Sequence, residues 1–274
     1  MKYQPSLPSR NDNVSDEHPL KDFLSILVRL AALALFAFFL LGLLVDTVVD
    51  RMDASTEASL TRLLAAKAPE VAAAPGRGNA REAQLQALVD SLRSCARSTG
   101  PATVRLTESK VPNAVVLPGG NIYVFSALLE HVQSENGLAF VLAHEMAHLS
   151  HRDHLRALGR GIVLYGLAAL LSGDTSALAS VLAPVRQLGD ANYSRTREAA
   201  ADARALQVLA CRYGHAGGAT EFFEALDDGK DDVIPGSHYF ASHPAMRARI
   251  AALRAEIARQ RMRTADVVPL VVSK

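Results

Sequence analysis

The 274-residue chain contains no tryptophan, and aromatic residues make up only 5% of it. Large rings therefore cannot dominate the core; Leu, Ala and Val must fill it, which suits packed helices. Charge is balanced, 29 Lys and Arg against 28 Asp and Glu for a net of +1, so no electrostatic argument points to a nucleic-acid partner. Cysteine is nearly absent: Cys95 and Cys211 are too few for a disulfide scaffold or a zinc knuckle and form no CxxC pair. They read as two buried thiols, with a single disulfide as the alternative in an oxidising compartment. Strand-like sequence is confined to one short region, and no internal repeat is visible.

What the chain does have is one long apolar run. Phe23 to Val45 reads FLSILVRLAALALFAFFLLGLLV, with Arg29 as its only charge, enough residues to cross a hydrocarbon core of roughly 30 Å as a helix. The run is too uniform for a core helix and too long for a signal peptide, and no A-x-A-like site follows it. It is expected to anchor the chain in a lipid bilayer. Lys2, Arg10, Lys21 and Arg29 lie at or before the span and Arg51 and Arg62 after it, a bias that places the N-terminus inside and the remainder outside. The predicted organisation is a disordered cytoplasmic tail (1–21), an anchor (22–46), a stalk and linker (47–78), a folded domain (79–262) and a C-terminal tail (263–274). A single-pass protein of a bacterial inner membrane, with a periplasmic domain, fits this pattern.

Within the domain, Leu85, Leu88, Val89, Leu92 and Ala96 follow helical spacing. Residues 102–107, 114–117 and 121–125 carry strand patterns, the last two joined by Pro118-Gly119-Gly120 as a hairpin. The stretch from Gly161 to Leu182 is apolar but broken at 172–175, so a helical hairpin on the domain or at the membrane surface is expected, not a transmembrane pair. Further helices are expected from Asp190 to Arg212, with Gly214 ending it, and near Thr220 to Leu226, followed by an irregular loop. Pro244 can open a last helix whose Arg247, Arg249, Arg254, Arg259, Arg261 and Arg263 form a solvated basic face, with lipid head groups as an alternative contact.

The chemistry concentrates at HEMAH, residues 144–148, behind a helix start that Ser134 can cap. On a helix His144 and His148 lie one turn apart and reach one metal ion, while Glu145 sits beside it as a general base, the HExxH arrangement of zinc peptidases. A catalytic zinc needs a third protein ligand. His154 falls at the metzincin position, but the glycine that lets the chain turn there is replaced by His151, so both histidines read as surface residues. Glu198, in SRTREAAADARAL, is the better candidate: it shares a helical face with Asp202, which can orient a ligand histidine from behind. Taken alone, ExxxD on an arginine-bearing helix also describes a solvated face.

Four segments in order, NAVVLPGGNIYV (113–124), ENGLAFVLAHEMAHLSHRD (135–153), SRTREAAADARAL (194–206) and SHPAMRARI (242–250), resemble the HtpX-like and CAAX-prenyl-protease-like zinc metallopeptidases, gluzincins that include mitochondrial quality-control proteases. The resemblance covers roughly residues 80–260. It implies an α+β, mainly helical zincin-like domain with a small sheet and hairpin before the active-site helix, preceded here by one transmembrane helix. It also implies one zinc ion held by His144, His148 and Glu198, with Glu145 as base. The family's histidine in the SHP motif lies near its metal, which makes His243 the candidate oxyanion donor. Extended or misfolded polypeptides are the expected substrates, bound along a strand near 114–117 or 121–124. A latent or inactive adaptor that binds client proteins is the competing expectation. Membrane-embedded members have several spans, so the compact form here points away from prenylated or membrane-embedded substrates.

Overall fold

The computed structural model describes residues 19–67, 80–97, 100–172, 194–227 and 246–271. Most of the predicted tail and linker, the break after Ser172, the loop after Asp227, Pro244 and His243 lie outside them. Contacts divide the chain into Met1–Leu44 and Val45–Lys274. The first unit holds the apolar part of helix α1 (Pro19–Arg51). An 18-residue stretch of α1 has a mean hydropathy of 2.6 with none of it buried, so the helix is long and apolar enough to cross a membrane. Proline is tolerated in a first helical turn, and Asp22 near the start and Arg51 in the last turn complement the helix dipole.

In the second unit the chain does not continue α1 as a free stalk. The helix stops at Arg51, and Asp53 Oδ1 accepts from the Thr56 amide at 2.6 Å to start α2 (Ala54–Lys67). Glu57 of α2 pairs with Arg152 at 3.3 Å, and a Cβ added at Gly119 would lie 2.5 Å from the Thr61 methyl. The residues leading out of α1 are thus part of the folded body, a correction to the predicted spacer.

Helix α3 (Ala80–Ala96) buries Leu85, Val89, Leu92 and Ala96, as its spacing predicts. Strands β1 (Thr103–Thr107), β2 (Ala114–Leu117) and β3 (Asn121–Phe125) form one sheet in the order β1-β3-β2. The β2–β3 hairpin is antiparallel and β1 joins β3 in parallel. Gly119 and Gly120 take φ of 89° and 77° in the turn, and a Cβ on Gly120 would fall 2.0 Å from the Pro101 carbonyl oxygen, so both positions need glycine. Because β3 is central, residues 121–124 offer no free edge; β2 does, since no described strand pairs with its other side.

A short helix α4 (Ser126–His131) leads to α5 (Glu135–Ser150), capped by Ser134, whose side chain accepts from the Gly137 amide. Every residue of α5 from Asn136 to His148 is buried. Sheet residues of β2 cover one side, while α3 and α7 (Arg195–Tyr213) cover others. Helix α6 (Asp153–Ser172) precedes α7, and α8 (Glu221–Asp227) and α9 (Met246–Arg259) follow. Ser194 caps α7 and Gly214, at φ 75°, ends it. The predicted C-terminal tail is held in place: Glu135 donates its amide to Val268 at 2.8 Å and Leu270 donates to Gln133 at 2.9 Å. Cys95 of α3 and Cys211 of α7 are joined in a disulfide with Cα atoms 5.7 Å apart, not the two thiols expected, because the two helices pack against each other.

Candidate metal centre

α5 sits at the middle of the second unit, so the HExxH side chains are held by packing before any ligand is considered. The His144 and His148 rings stand edge to face with centroids 4.6 Å apart, and their Nε2 atoms are separated by 3.0 Å. Glu198, three residues into α7, brings Oε1 to 3.2 Å from His148 Nε2 and Oε2 to 3.5 Å from His144 Nε2. One ligand atom from each of the three residues lies within 4.8 Å of the others, and all three residues are buried. Among the described residues His154 is not in this cluster; it is buried on α6 with Nε2 3.8 Å from Glu57. His154 therefore lies apart from the cluster, and it is buried where a surface position was expected. His151 is the one that faces solvent.

A carboxylate stands behind each histidine. Asp202 Oδ1 is 2.9 Å from His144 Nδ1, and Asp153 Oδ2 is 2.8 Å from His148 Nδ1. Arg249 Nη2 also approaches His144 Nδ1, at 3.3 Å. Since a guanidinium has no acceptor, only the shorter aspartate contact can take an Nδ1 proton, which leaves Nε2, on the Glu198 side, as the nitrogen available to a metal. Asp153 is itself held by Arg197. It reaches His148 because the chain reverses at Arg152, in the left-handed region at φ 55°, a conformation costing on the order of 1–2 kcal/mol. Arg152 is secured there by donating to the Val49 and Met52 carbonyls at 3.0 and 2.6 Å.

The electrostatics follow from this packing. Burial opposes a charged Asp202, but Arg249 and His144 overcome it and lower its pKa to about 2. Burial also opposes a charged His148, yet Asp153 and Glu198 raise it to about 9. For His144, burial and Arg249 favour the neutral ring, and Asp202 and Glu198 still shift the pKa upward. Glu145, 1% exposed, is raised chiefly by burial, with Glu198 adding to the shift. Among the described residues, four buried or nearly buried carboxylates (Glu145, Asp153, Glu198, Asp202) meet two guanidiniums (Arg197, Arg249) here. A divalent cation offsets that negative excess, so the donor set, its burial and its charge all fit a metal.

Sequence reasoning brought His144, Glu145, His148, Glu198 and Asp202 to one place and missed two contributors. Asp153 was overlooked beside the histidines at 151 and 154, although an aspartate five residues past the second ligand was the available signal. Arg249 was assigned to a solvated basic face but is 6% exposed; no periodicity distinguishes it from its neighbours.

The profile of Peptidase family M48 matches residues 79–257. The mitochondrial metalloendopeptidase OMA1 of Schizosaccharomyces pombe is 30% identical over 148 residues, covering 51% of this chain and 42% of the relative. The Bos taurus OMA1 is 32% identical over 148 residues, covering 48% and 28%. The beta-barrel assembly-enhancing protease of Escherichia coli is 29% identical over 155 residues, covering 52% and 31%. The aligned region thus accounts for less than half the length of these relatives.

Proposed function

The chain belongs to Peptidase family M48, and from that premise we propose that it is a membrane-anchored zinc metalloendopeptidase that cleaves extended or misfolded polypeptides, with a role in envelope protein quality control. The observation that carries this reading is the convergence of His144, His148 and Glu198 on one buried point with Glu145 beside them. His144, His148 and Glu198 hold one zinc ion. When bound, zinc supplies Lewis acidity, lowering the pKa of water towards about 7 and polarising a peptide carbonyl.

The remaining steps belong to the chain. Glu145, whose pKa is raised by burial, takes a proton from the attacking water and passes it to the leaving amine. Asp202 and Asp153 keep the Nδ1 protons of His144 and His148, so neither ring can turn. The outer edge of β2 pairs with the substrate backbone, selecting extended chains with little regard to sequence. His243 serves as the oxyanion donor. The apolar part of α1 anchors the chain in a bacterial inner membrane with the domain in the periplasm, and the Cys95–Cys211 disulfide suits that oxidising side.

The test is zinc content and casein degradation by the full-length protein, with and without chelator. Glu145→Gln is expected to retain zinc and lose proteolysis; normal turnover by that variant would sink the mechanism. Stoichiometric zinc without cleavage by the wild type would favour the client-binding adaptor.

A further inference from the structure

Among the described residues, Arg249 is the cation that touches the carboxylates on both sides of His144. Its Nε and Nη2 donate to the two oxygens of Asp202 at 2.9 and 2.5 Å, and its Nη1 lies 3.0 Å from Glu198 Oε2. The guanidinium packs over the Phe223 ring at 4.4 Å, and the side chain is 6% exposed. Such burial of a charged group is costly unless the geometry around it is well matched. The planar fork of arginine supplies that match; an ammonium on a flexible stem cannot engage two carboxylates in fixed directions.

We propose that Arg249 is a positioning residue of the metal centre: by holding Glu198 Oε2, it makes Glu198 present Oε1 alone to the metal and ties that ligand to Asp202. The inference rests on the proposed ligand set. Three observations carry it together. Oε1 is the Glu198 oxygen nearer His148 Nε2, at 3.2 Å, whereas Oε2 is the one that Arg249 contacts. Asp202, which orients His144, is held by the same guanidinium, so one side chain sets the direction of two of the three ligands. Arg249 enters from α9, whereas the ligands lie on α5 and α7, so neither ligand-bearing helix can provide this constraint by itself. Held in this way, Glu198 cannot swing both oxygens onto the metal, and a coordination position remains open for water and substrate, as a catalytic site requires.

The test uses full-length Arg249→Lys, which keeps the charge and loses the fork, and Arg249→Gln, which keeps a donor and loses the charge. Zinc affinity is measured by chelator competition, and cobalt-loaded protein is compared by visible absorption, whose intensity falls as coordination number rises. Both variants are expected to bind zinc about 10–100-fold more weakly, and Arg249→Lys to show a weaker cobalt band. In a Glu198→Gln background the Arg249→Lys change is expected to weaken metal binding by less than it does in the wild type, because the share that passes through Glu198 is already lost and only the share through Asp202 remains. A merely structural arginine would lower metal-free and metal-loaded melting temperatures alike, with affinity and spectrum unchanged; that result overturns the proposal, as does failure of both variants to fold. If the wild type binds no metal, the proposed ligand set fails, and this inference with it. Metal bound normally by the wild type but without proteolysis leaves the Arg249 measurement fully decisive.

Discussion

Zinc binding should weaken by about two orders of magnitude between pH 9 and pH 7. In the metal-free protein Asp153 and Glu198 outweigh burial and raise His148 to about 9, and a metal needs the lone pair that this proton occupies. At pH 7 only about one protein in a hundred then carries His148 ready to bind, so affinity falls about tenfold per pH unit below 9 and levels off above it. His144 is shifted in the same direction, and any proton it holds steepens the slope. Competition with a chelating dye from pH 6.5 to 9.5, corrected for the dye's own protonation, measures the dependence. Calorimetry in buffers of different ionisation enthalpy counts the protons released. Affinity unchanged between pH 7 and 9, or release of much less than one proton at pH 7, would refute the argument. Stability of the metal-free protein has the opposite sign. A histidine raised from 6.5 to about 9 contributes in full below 6.5 and loses that contribution as pH rises through 9. Taken alone, this amounts to about 3 kcal/mol. Metal-free protein should therefore melt at a lower temperature at pH 9.5 than at pH 6, while the metal-loaded form should not follow it.

Replacing Cys95 and Cys211 by serine opens a cross-link between residues 116 apart and should cost up to about 5 kcal/mol in chain entropy, read as a drop in denaturant midpoint. Asp153→Asn leaves His148 without its anionic partner and should weaken metal binding about 10–100-fold, measured by chelator competition with a melting curve as control. Val116→Pro in β2 places a residue without an amide hydrogen on the free edge; cleavage of an unstructured peptide should fall more than zinc affinity does, and equal cleavage would count against strand addition.

The parts of this fold legible in the sequence are those where a local rule sufficed. Ser134 and Ser194 cap their helices, Gly214 ends α7, and the Pro-Gly-Gly turn makes a hairpin, all from chemistry within a few residues. The parallel pairing of β1 with β3 was not legible, because a non-local register leaves no trace in either strand's own pattern. α5 is buried on every side, so it has no polar face to betray its orientation; the motif, not the periodicity, identified it. The same reason hid Arg249: helix α9 has three further arginines, Arg247, Arg254 and Arg259, that face water, and only tertiary packing selects the one that turns inward. His154 was misplaced on the surface because α2 covers it, and that contact depends on residues leading out of the membrane helix that the sequence presented as a stalk.

The buried charges also connect folding to metal loading. Among the described residues, four carboxylates and two guanidiniums surround two histidines, and without a cation protonated histidines supply positive charge there; their raised pKa values express that need. A dication replaces those protons, so every increment of metal affinity is also an increment of folded-state stability. The scaffold must nevertheless hold the cluster together before the metal arrives. Helix α7 carries Glu198 and Asp202 near its start and Cys211 near its end, so the disulfide fixes the far end of the same rigid element whose near end bears the ligand. Packing of α7 against α5 then transmits that constraint to the histidines. The cross-link and the apolar packing thus hold α7 against α5 independently of pH, while the ion pairs and the proton content of the site answer to the metal.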